Sequence, residues 1–363
     1  MLVAARSAVV ALLGAVLVLV PDALPASTQE PDGDWRELLE RAVSAARETP
    51  FQGRLVVVAF DTGGPFLAEV TVVQDGHGVM QRDPAEDWVL GHTGEGTFYG
   101  EADSGTLLRL GEAERGGFSI DRLTAKYEVV VAATEPGLLG PTAVCELRER
   151  ASGVVREVLH IDEGSGLVVR RETFDRDGDP VRLTAFTALE VDDVILPTVD
   201  EGWRQVHEPS DRLMSSDGVG LLRDLGAWRI PEELPLGYEL VAVYALDEGA
   251  STKATTLHLV YSDGLYTLSL FEQKGLLDPT AVAASGGVRA RLGSMDVHRW
   301  PGTEPATIGW SGDGLTFTVV STAPGDELAA ALDDLPRSAS RSSVGHRLRR
   351  GLARIVDGAW PFD

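Results

Sequence analysis

The sequence predicts an α+β chain, mostly antiparallel β, in two domains, each a sheet covered by a helix. Three observations predict it. The 363 residues are more than one small core requires. Apolar and polar residues alternate in short runs, the period of strands with one buried face. The runs are separated by Gly, Asp and Pro turns, where a tight reversal joins antiparallel neighbours at little cost. The expected divisions are an export segment at 1–26, a first domain at 27–200, a linker at 201–226, a second domain at 227–336 and a basic tail at 337–363.

The first 26 residues carry Arg6, an apolar run from Ser7 to Val20 and a small-residue stretch ending Leu24-Pro25-Ala26. That is the layout of an export signal. It is either cleaved or kept as an anchor, and a run shorter than the roughly 20 residues of a spanning helix favours cleavage. The location expected is the periplasm or another extracytoplasmic part of the envelope, with a soluble mature chain. The single cysteine, Cys145, has no intramolecular disulfide partner and sits in an apolar run, so it is expected to be buried and inert.

Trp35, Leu38, Leu39, Ala42, Val43 and Ala46 recur at three- and four-residue spacing, which predicts an amphipathic helix with Asp34 as its cap and Thr49-Pro50 as its stop. Phe51–Phe60 follows as a strand whose near-continuous apolar run suggests burial on both faces. Short strands are expected at Glu69–Gln74, Trp88–Leu90, Thr97–Tyr99, Thr106–Leu110 and Tyr127–Ala132. Val154–Val191 then reads as a three-strand meander with turns at Asp162–Gly166 and Asp175–Pro180. In its last run Val181, Leu183, Ala185, Leu189 and Val191 are expected on the buried side, with Arg182, Thr184 and Glu190 opposite.

Pro197–Gly226 is polar and without sustained periodicity, the composition of a linker. Beyond it Thr256–Glu272 predicts a hairpin turning at Ser262-Asp263-Gly264. Strands are expected around Gly293–Trp300, Ala306–Trp310 and Leu315–Ser321, and a closing helix at Asp326–Leu335 with acids in its first turn and Pro336 as its stop. Arg337–Val356 holds six arginines and no acid in a chain of net charge -24. Its Val344, Leu348, Leu352, Ile355 and Val356 would share one helical face. Such a helix either lies on an anionic membrane or acidic partner, or docks on the chain's own acidic body.

Chemistry-bearing motifs are few. The net negative charge excludes binding to a phosphate backbone. No two histidines are closer than His77 and His92, so no zinc pair of helical spacing exists. Gly309-Trp310-Ser311-Gly312-Asp313 lacks the last Gly of a nucleophile elbow. Asp175-Arg176-Asp177-Gly178-Asp179 imitates a calcium loop, but its Gly comes early and no Glu stands at the twelfth position, so it is expected to be a hairpin turn. No metal, cofactor or catalytic residue is assigned, and the chain is expected not to be an enzyme.

A resemblance covers most of the chain. The leading helix with the Phe51-Gln52-Gly53 entry, the Gly164-Ser165-Gly166-Leu167 turn followed by Arg170 and Arg171, and the strand carrying Phe186 resemble the LolA-like domain of the MucB/RseB family. Leu234-Pro235-Leu236-Gly237-Tyr238, Val260-Tyr261-Ser262-Asp263-Gly264-Leu265 and the strand ending Phe271-Glu272 are similar to that family's C-terminal domain. The resemblance implies a LolA-like half-open β-barrel with a covering helix, then a smaller antiparallel-sheet domain with a helix. It implies a regulator of extracytoplasmic sigma-factor signalling that binds an anti-sigma factor's extracytoplasmic region and shields it from proteolysis. Release by a lipid ligand would follow from the barrel's cavity; the alternative is a carrier of lipids or lipoproteins. Phe60, Phe66, Trp88, Phe98, Tyr99 and Phe118 either line that cavity or fill an ordinary closed core. Candidate partner contacts are Tyr261, Tyr266 and Phe271 in the second domain and Arg347, Arg349 and Arg350 in the tail. The expected partners are a membrane anti-sigma factor, acyl chains of lipids or lipoproteins, and a further copy of the chain.

Overall fold

A computed structural model describes residues 33–336 other than 62–63, 84–87, 94–95, 102–105, 110–118, 197–203, 208–211, 247–255, 302–304 and the single positions 193, 195, 225 and 227. The predicted export segment and the tail with Arg347, Arg349 and Arg350 lie outside the described residues, as does Phe118. The described chain divides into two units that meet in sequence at Val206 and His207.

The first unit opens with α1 (Gly33–Glu48), whose Leu38, Leu39, Ala42, Val43 and Ala45 are buried. The helix begins at Gly33, so Asp34 lies inside it rather than before it. The strands β1 (Phe51–Asp61), β2 (Gly64–Gln74), β3 (Val79–Asp83), β4 (Trp88–Thr93), β5 (Gly96–Glu101) and β6 (Thr106–Arg109) follow as a meander. A helix that the sequence reading missed, α2 (Ile120–Lys126), then starts at Ser119, whose hydroxyl accepts from Arg122 N–H at 3.3 Å. Next come β7 (Tyr127–Pro136), β8 (Pro141–Glu149), β9 (Val155–Asp162), β10 (Val168–Phe174), β11 (Pro180–Glu190) and β12 (Arg204–His207).

These strands form one open sheet in the order β12-β6-β5-β4-β3-β2-β1-β11-β10-β9-β8-β7. Strand β1 is central because the chain first builds outward from it, crosses to the far edge at β7, and meanders back until β11 pairs with it. The predicted turns hold for local reasons. Asp162 accepts from Ser165 N–H at 2.7 Å and Gly166 takes φ +77°; Asp175 accepts from Asp177 and Asp179 N–H at 3.0 and 2.8 Å, with Gly178 at φ +87°. The Asp175 carboxylate is thus engaged by its own turn. Helix α1 crosses the Gly166 turn, where an added Cβ would meet Ala45 Cβ at 3.1 Å.

Two expectations about faces are corrected. On β1 only one face is fully buried, through Phe51, Leu55, Val57 and Ala59; the other leaves Phe60 53% exposed. On β11 the buried side chains are Arg182, Thr184 and Leu189, while Val181, Leu183 and Ala185 are half-buried and Val191 is exposed. A register shift opposite Arg54/Leu55 inserts an extra residue, so the face presented changes between Phe186 and Leu189. Period-two reading across a bulge assigns half a strand to the wrong side.

The second unit contains β13 (Arg212–Leu213), α3 (Ser216–Asp224), β14 (Glu233–Leu234), β15 (Tyr238–Leu246), β16 (Thr256–Ser262), β17 (Thr267–Lys274), α4 (Pro279–Ala284), β18 (Val288–Leu292), β19 (Met295–Arg299), β20 (Ala306–Gly312), β21 (Leu315–Ser321) and α5 (Gly325–Ala331). Its sheet runs β13-β15-β16-β17-β21-β20-β19-β18, with β14 also on β15. The expected linker is therefore corrected: β12 ends the first sheet, while β13 and α3 belong to the second unit. Met214 N–H donates to Val243 O at 2.8 Å and Arg223 Nε to Ile230 O at 2.9 Å, bonds too few and local to leave a periodic signature.

The hairpin at Ser262-Asp263-Gly264 forms as predicted. Asp263 accepts from Leu265 and Tyr266 N–H at 2.9 and 2.7 Å, and Gly264 takes φ +93°. Helix α4 and the separate strand β18 were not predicted, although Asp278-Pro279 supplies an N-cap and first-turn Pro.

Candidate functional site

Two sheet faces carry the functional argument, and each grows from strand register. In the first unit, Leu147, Glu157, Thr173, Arg182, Ala59 and Phe66 are successive register partners across β8, β9, β10, β11, β1 and β2. The next row is Cys145, Leu159, Arg171, Thr184, Val57 and Ala68. Directly opposed residues share a face, so apolar and charged groups lie side by side on the buried side of this sheet. Glu157 is fully buried; Arg171 grips it through Nε and Nη2, the latter 2.7 Å from Oε1, and Thr173 Oγ1 donates at 3.0 Å. A buried carboxylate is tolerated only when paired and hydrogen-bonded in this way.

The cavity candidates distribute unevenly on this frame. Phe60 is corrected to the outer face, where Val58 and the 70% exposed Leu67 are opposed on adjacent strands. Phe66 lies on β2 opposite Ala59, Trp88 on β4 opposite Glu101, and Phe98 and Tyr99 on β5 opposite Gly91 and Leu90. The side chains of these four lie outside the described residues. Sequence reasoning missed Glu157, Arg171 and Arg182, because charged residues on a strand are read as facing solvent.

In the second unit one face is a conventional core. Leu257, Leu259, Leu268, Leu270, Phe317 and Val319 are buried there, and Trp310 Nε1 donates to Pro336 O at 3.0 Å. Tyr261 and Tyr266 are fully buried. Tyr261 OH donates to Pro231 O at 2.9 Å, and burial raises its pKa further above neutrality. The contact role expected of these two tyrosines is thus corrected to a core role: large rings beside a tight turn pack, and a buried hydroxyl needs its acceptor. Glu272 shares this face, fully buried, accepting from Arg229 N–H at 2.8 Å through Oε2 while Oε1 has no hydrogen-bond partner. Burial, partly offset by the Arg229 N–H and charge, pushes its carboxyl up to about 8.

The opposite face is polar. Tyr244, His258, Phe271, Thr318, Gly309 and His298 are successive register partners across six strands. His258 stacks between Tyr244 and Phe271, with ring centroids 5.4 and 4.3 Å away, and burial pulls it down to about 4. Of the three second-domain contact candidates, Phe271 alone is partly exposed. Among the described residues His258 Nε2, Thr318 Oγ1 and Gln273 Oε1 are buried without a hydrogen-bond partner. A Cβ added at Gly309 would meet Trp300 Cζ3 at 3.4 Å, so Trp300 lies beside the row, and Trp300, Leu277 and Val282 cluster at that end. Ser311, in the near-match to a nucleophile elbow, accepts Leu277 N–H at 2.8 Å.

No family model and no curated protein matches the sequence. Solved structures do match in fold. MucB in complex with MucA(peri) is similar at TM-score 0.50 and 19% identity, over 84% of this chain and 100% of that one. The Pseudomonas aeruginosa MucA/MucB complex is similar at TM-score 0.50 and 18% identity, over 85% of this chain and 100% of that one. MucB alone gives TM-score 0.51 at 19% identity, over 83% and 98%. Neither unit is long enough to account for such coverage, so the likeness spans both: the chain has a MucB-like fold.

Proposed function

We propose that this chain is an exported, non-catalytic envelope regulator. It binds the extracytoplasmic segment of a membrane-anchored anti-sigma factor and shields that segment from proteolysis. The observation that carries this reading is the two-unit likeness to MucB, a protein solved with MucA(peri). A simple carrier has no use for the second sheet. The export signal read at residues 1–26 places the chain on the side of the membrane where such a segment lies, and among the described residues no helix is long and apolar enough to cross a membrane.

Lipid-driven release is the finer part of the proposal. A lipid releases the partner only if it binds the partner-free conformation more tightly, and the coupling is reciprocal. Each buried methylene contributes about 0.8 kcal/mol, so one acyl chain outweighs a coupling of a few kcal/mol. The reading draws support from the apolar residues that lie beside the Glu157–Arg171 pair on the buried side of the first sheet. The test is a cross-linked affinity capture from native envelopes with the chain from Ser27, followed by mass spectrometry of protein and lipid. Enrichment of one single-pass membrane protein with a cytoplasmic sigma-binding domain, lost on adding lipid, is expected. Stoichiometric lipid or many lipoproteins with no such protein would refute the regulator and leave a carrier.

A further inference from the structure

Among the described residues the second sheet ends at β18, a five-residue strand with no further strand beyond it in the order. Its pairing with β19 is regular from Val288↔Arg299 to Leu292↔Met295 around the two-residue turn Gly293-Ser294. In a hairpin closed by a two-residue turn the closing pair is hydrogen-bonded and pairs then alternate. Leu292, Ala290 and Val288 therefore bond inward, while the N–H and C=O of Arg289 and Arg291 point outward from the sheet. Exposed edges are normally blunted by proline, a bulge or an inward-pointing charge. Strand β18 has no proline, its pairing shows no register shift, and its two charges are both positive.

Several described arginines meet acids, as in Arg36–Asp121, Arg170–Glu172, Arg223–Glu232 and Arg229–Asp313. Arg289 and Arg291 are exposed, lie two residues apart on one face of the edge strand, and make no ion pair or side-chain hydrogen bond among the described residues. Beside them burial, with the charge of Arg289, lowers the pKa of His298. Asp296, opposite Arg291, is exposed and forms no ion pair with it among the described residues. On the other face Val288 is 47% exposed.

We propose that the outer edge of β18 receives an extended acidic segment of a partner protein as an added strand. The main-chain groups of Arg289 and Arg291 supply the ladder, and their guanidinium groups meet two carboxylates spaced two residues apart. A small apolar residue between those carboxylates turns to the opposite face, toward Val288. The occupant thus has the pattern acid–apolar–acid, the complement of Val288-Arg289-Ala290-Arg291. This inference stands independently of whether the partner is an anti-sigma factor.

The probe is a fluorescein-labelled ten-residue peptide alternating Glu with Val and Thr, titrated by anisotropy against the chain from Ser27. Saturable binding is expected. It should weaken at least about tenfold in the Arg289→Glu/Arg291→Glu variant, since two charge-assisted contacts are each turned repulsive. It should tighten in Asp296→Asn and vanish when Glu is replaced by Lys. A peptide N-methylated at alternate residues keeps its charge but cannot form the ladder, and it too should fail to bind. No saturable binding up to about millimolar peptide, where a single strand addition with charge pairing would register, overturns the proposal. So does equal binding by the double variant, or by the N-methylated peptide, which would mean charge attraction alone. Self-association of the chain abolished by the same double variant would overturn it in favour of a second copy. Circular dichroism of each variant checks that the sheet is retained.

Discussion

Glu272 lies between Leu257 and Phe317 in register, where a carboxylate has no water to face. Held near 8 against an ordinary 4.5, its carboxyl takes up a proton on folding. Its stabilising contribution is complete below pH 4.5 and is lost as pH rises to about 8, because over that range the folded chain binds more protons than the unfolded one. His258 has the opposite sign. Pulled from 6.5 to about 4, it contributes fully above pH 6.5 and loses that contribution as pH falls toward 4. Between pH 6.5 and 8 Glu272 therefore acts alone of the two. Urea unfolding of the second unit should show stability falling across that interval by an amount on the order of a few kcal/mol, and Glu272→Gln should flatten the fall. A wild-type profile that stays level or rises there would remove the protonated carboxyl from the account. In the first unit, Arg171→Ala leaves the Glu157 carboxylate buried with the Thr173 hydroxyl donating to it and should cost about 3–5 kcal/mol in urea unfolding. The double change Arg171→Met/Glu157→Leu should cost less than the single one, because it removes the stranded charge together with its partner.

At the scale of elements, the Phe51-Gln52-Gly53 entry shows what sequence can and cannot disclose. Phe51 packs edge-on to Phe186 at 5.6 Å, and a Cβ on Gly53 would meet Phe186 Cδ1 at 2.8 Å and Ala188 O at 2.6 Å. The glycine is there so that β11 can bring its ring over β1. Gly53→Ala should cost about 1–3 kcal/mol by overpacking, measured as a lowered urea midpoint with an unchanged slope. Strand existence, the Asp162 and Asp263 turns and helix α1 were legible because each has a local cause: alternation, a carboxylate bonding its own turn, a 3.6-residue stripe. The faces of β11 were not, since the bulge opposite Arg54/Leu55 depends on a strand more than a hundred residues away. Helix α4 was legible in principle from Asp278-Pro279, while β13 was not, being two residues long and held by pairing alone.

For the whole molecule, the two sheets place charge in ways composition could not show. A net charge of -24 suggests a uniformly acidic surface, yet buried arginines serve the first sheet, and two exposed ones on the edge of the second form no ion pair among the described residues. Of the candidate site, the sequence disclosed the division into two β-rich units. It assigned Tyr261, Tyr266 and Phe60 to surfaces they do not line, because an aromatic residue on a strand reads alike whether it packs inward or outward. The proposed role is protection of a membrane partner's extracytoplasmic segment. The most direct measurement is the rate at which the captured single-pass partner is cut in envelope vesicles, with and without the chain and then with added lipid. Slower cutting in its presence, restored by lipid, is the predicted result; cutting at the same rate with and without the chain would contradict the account.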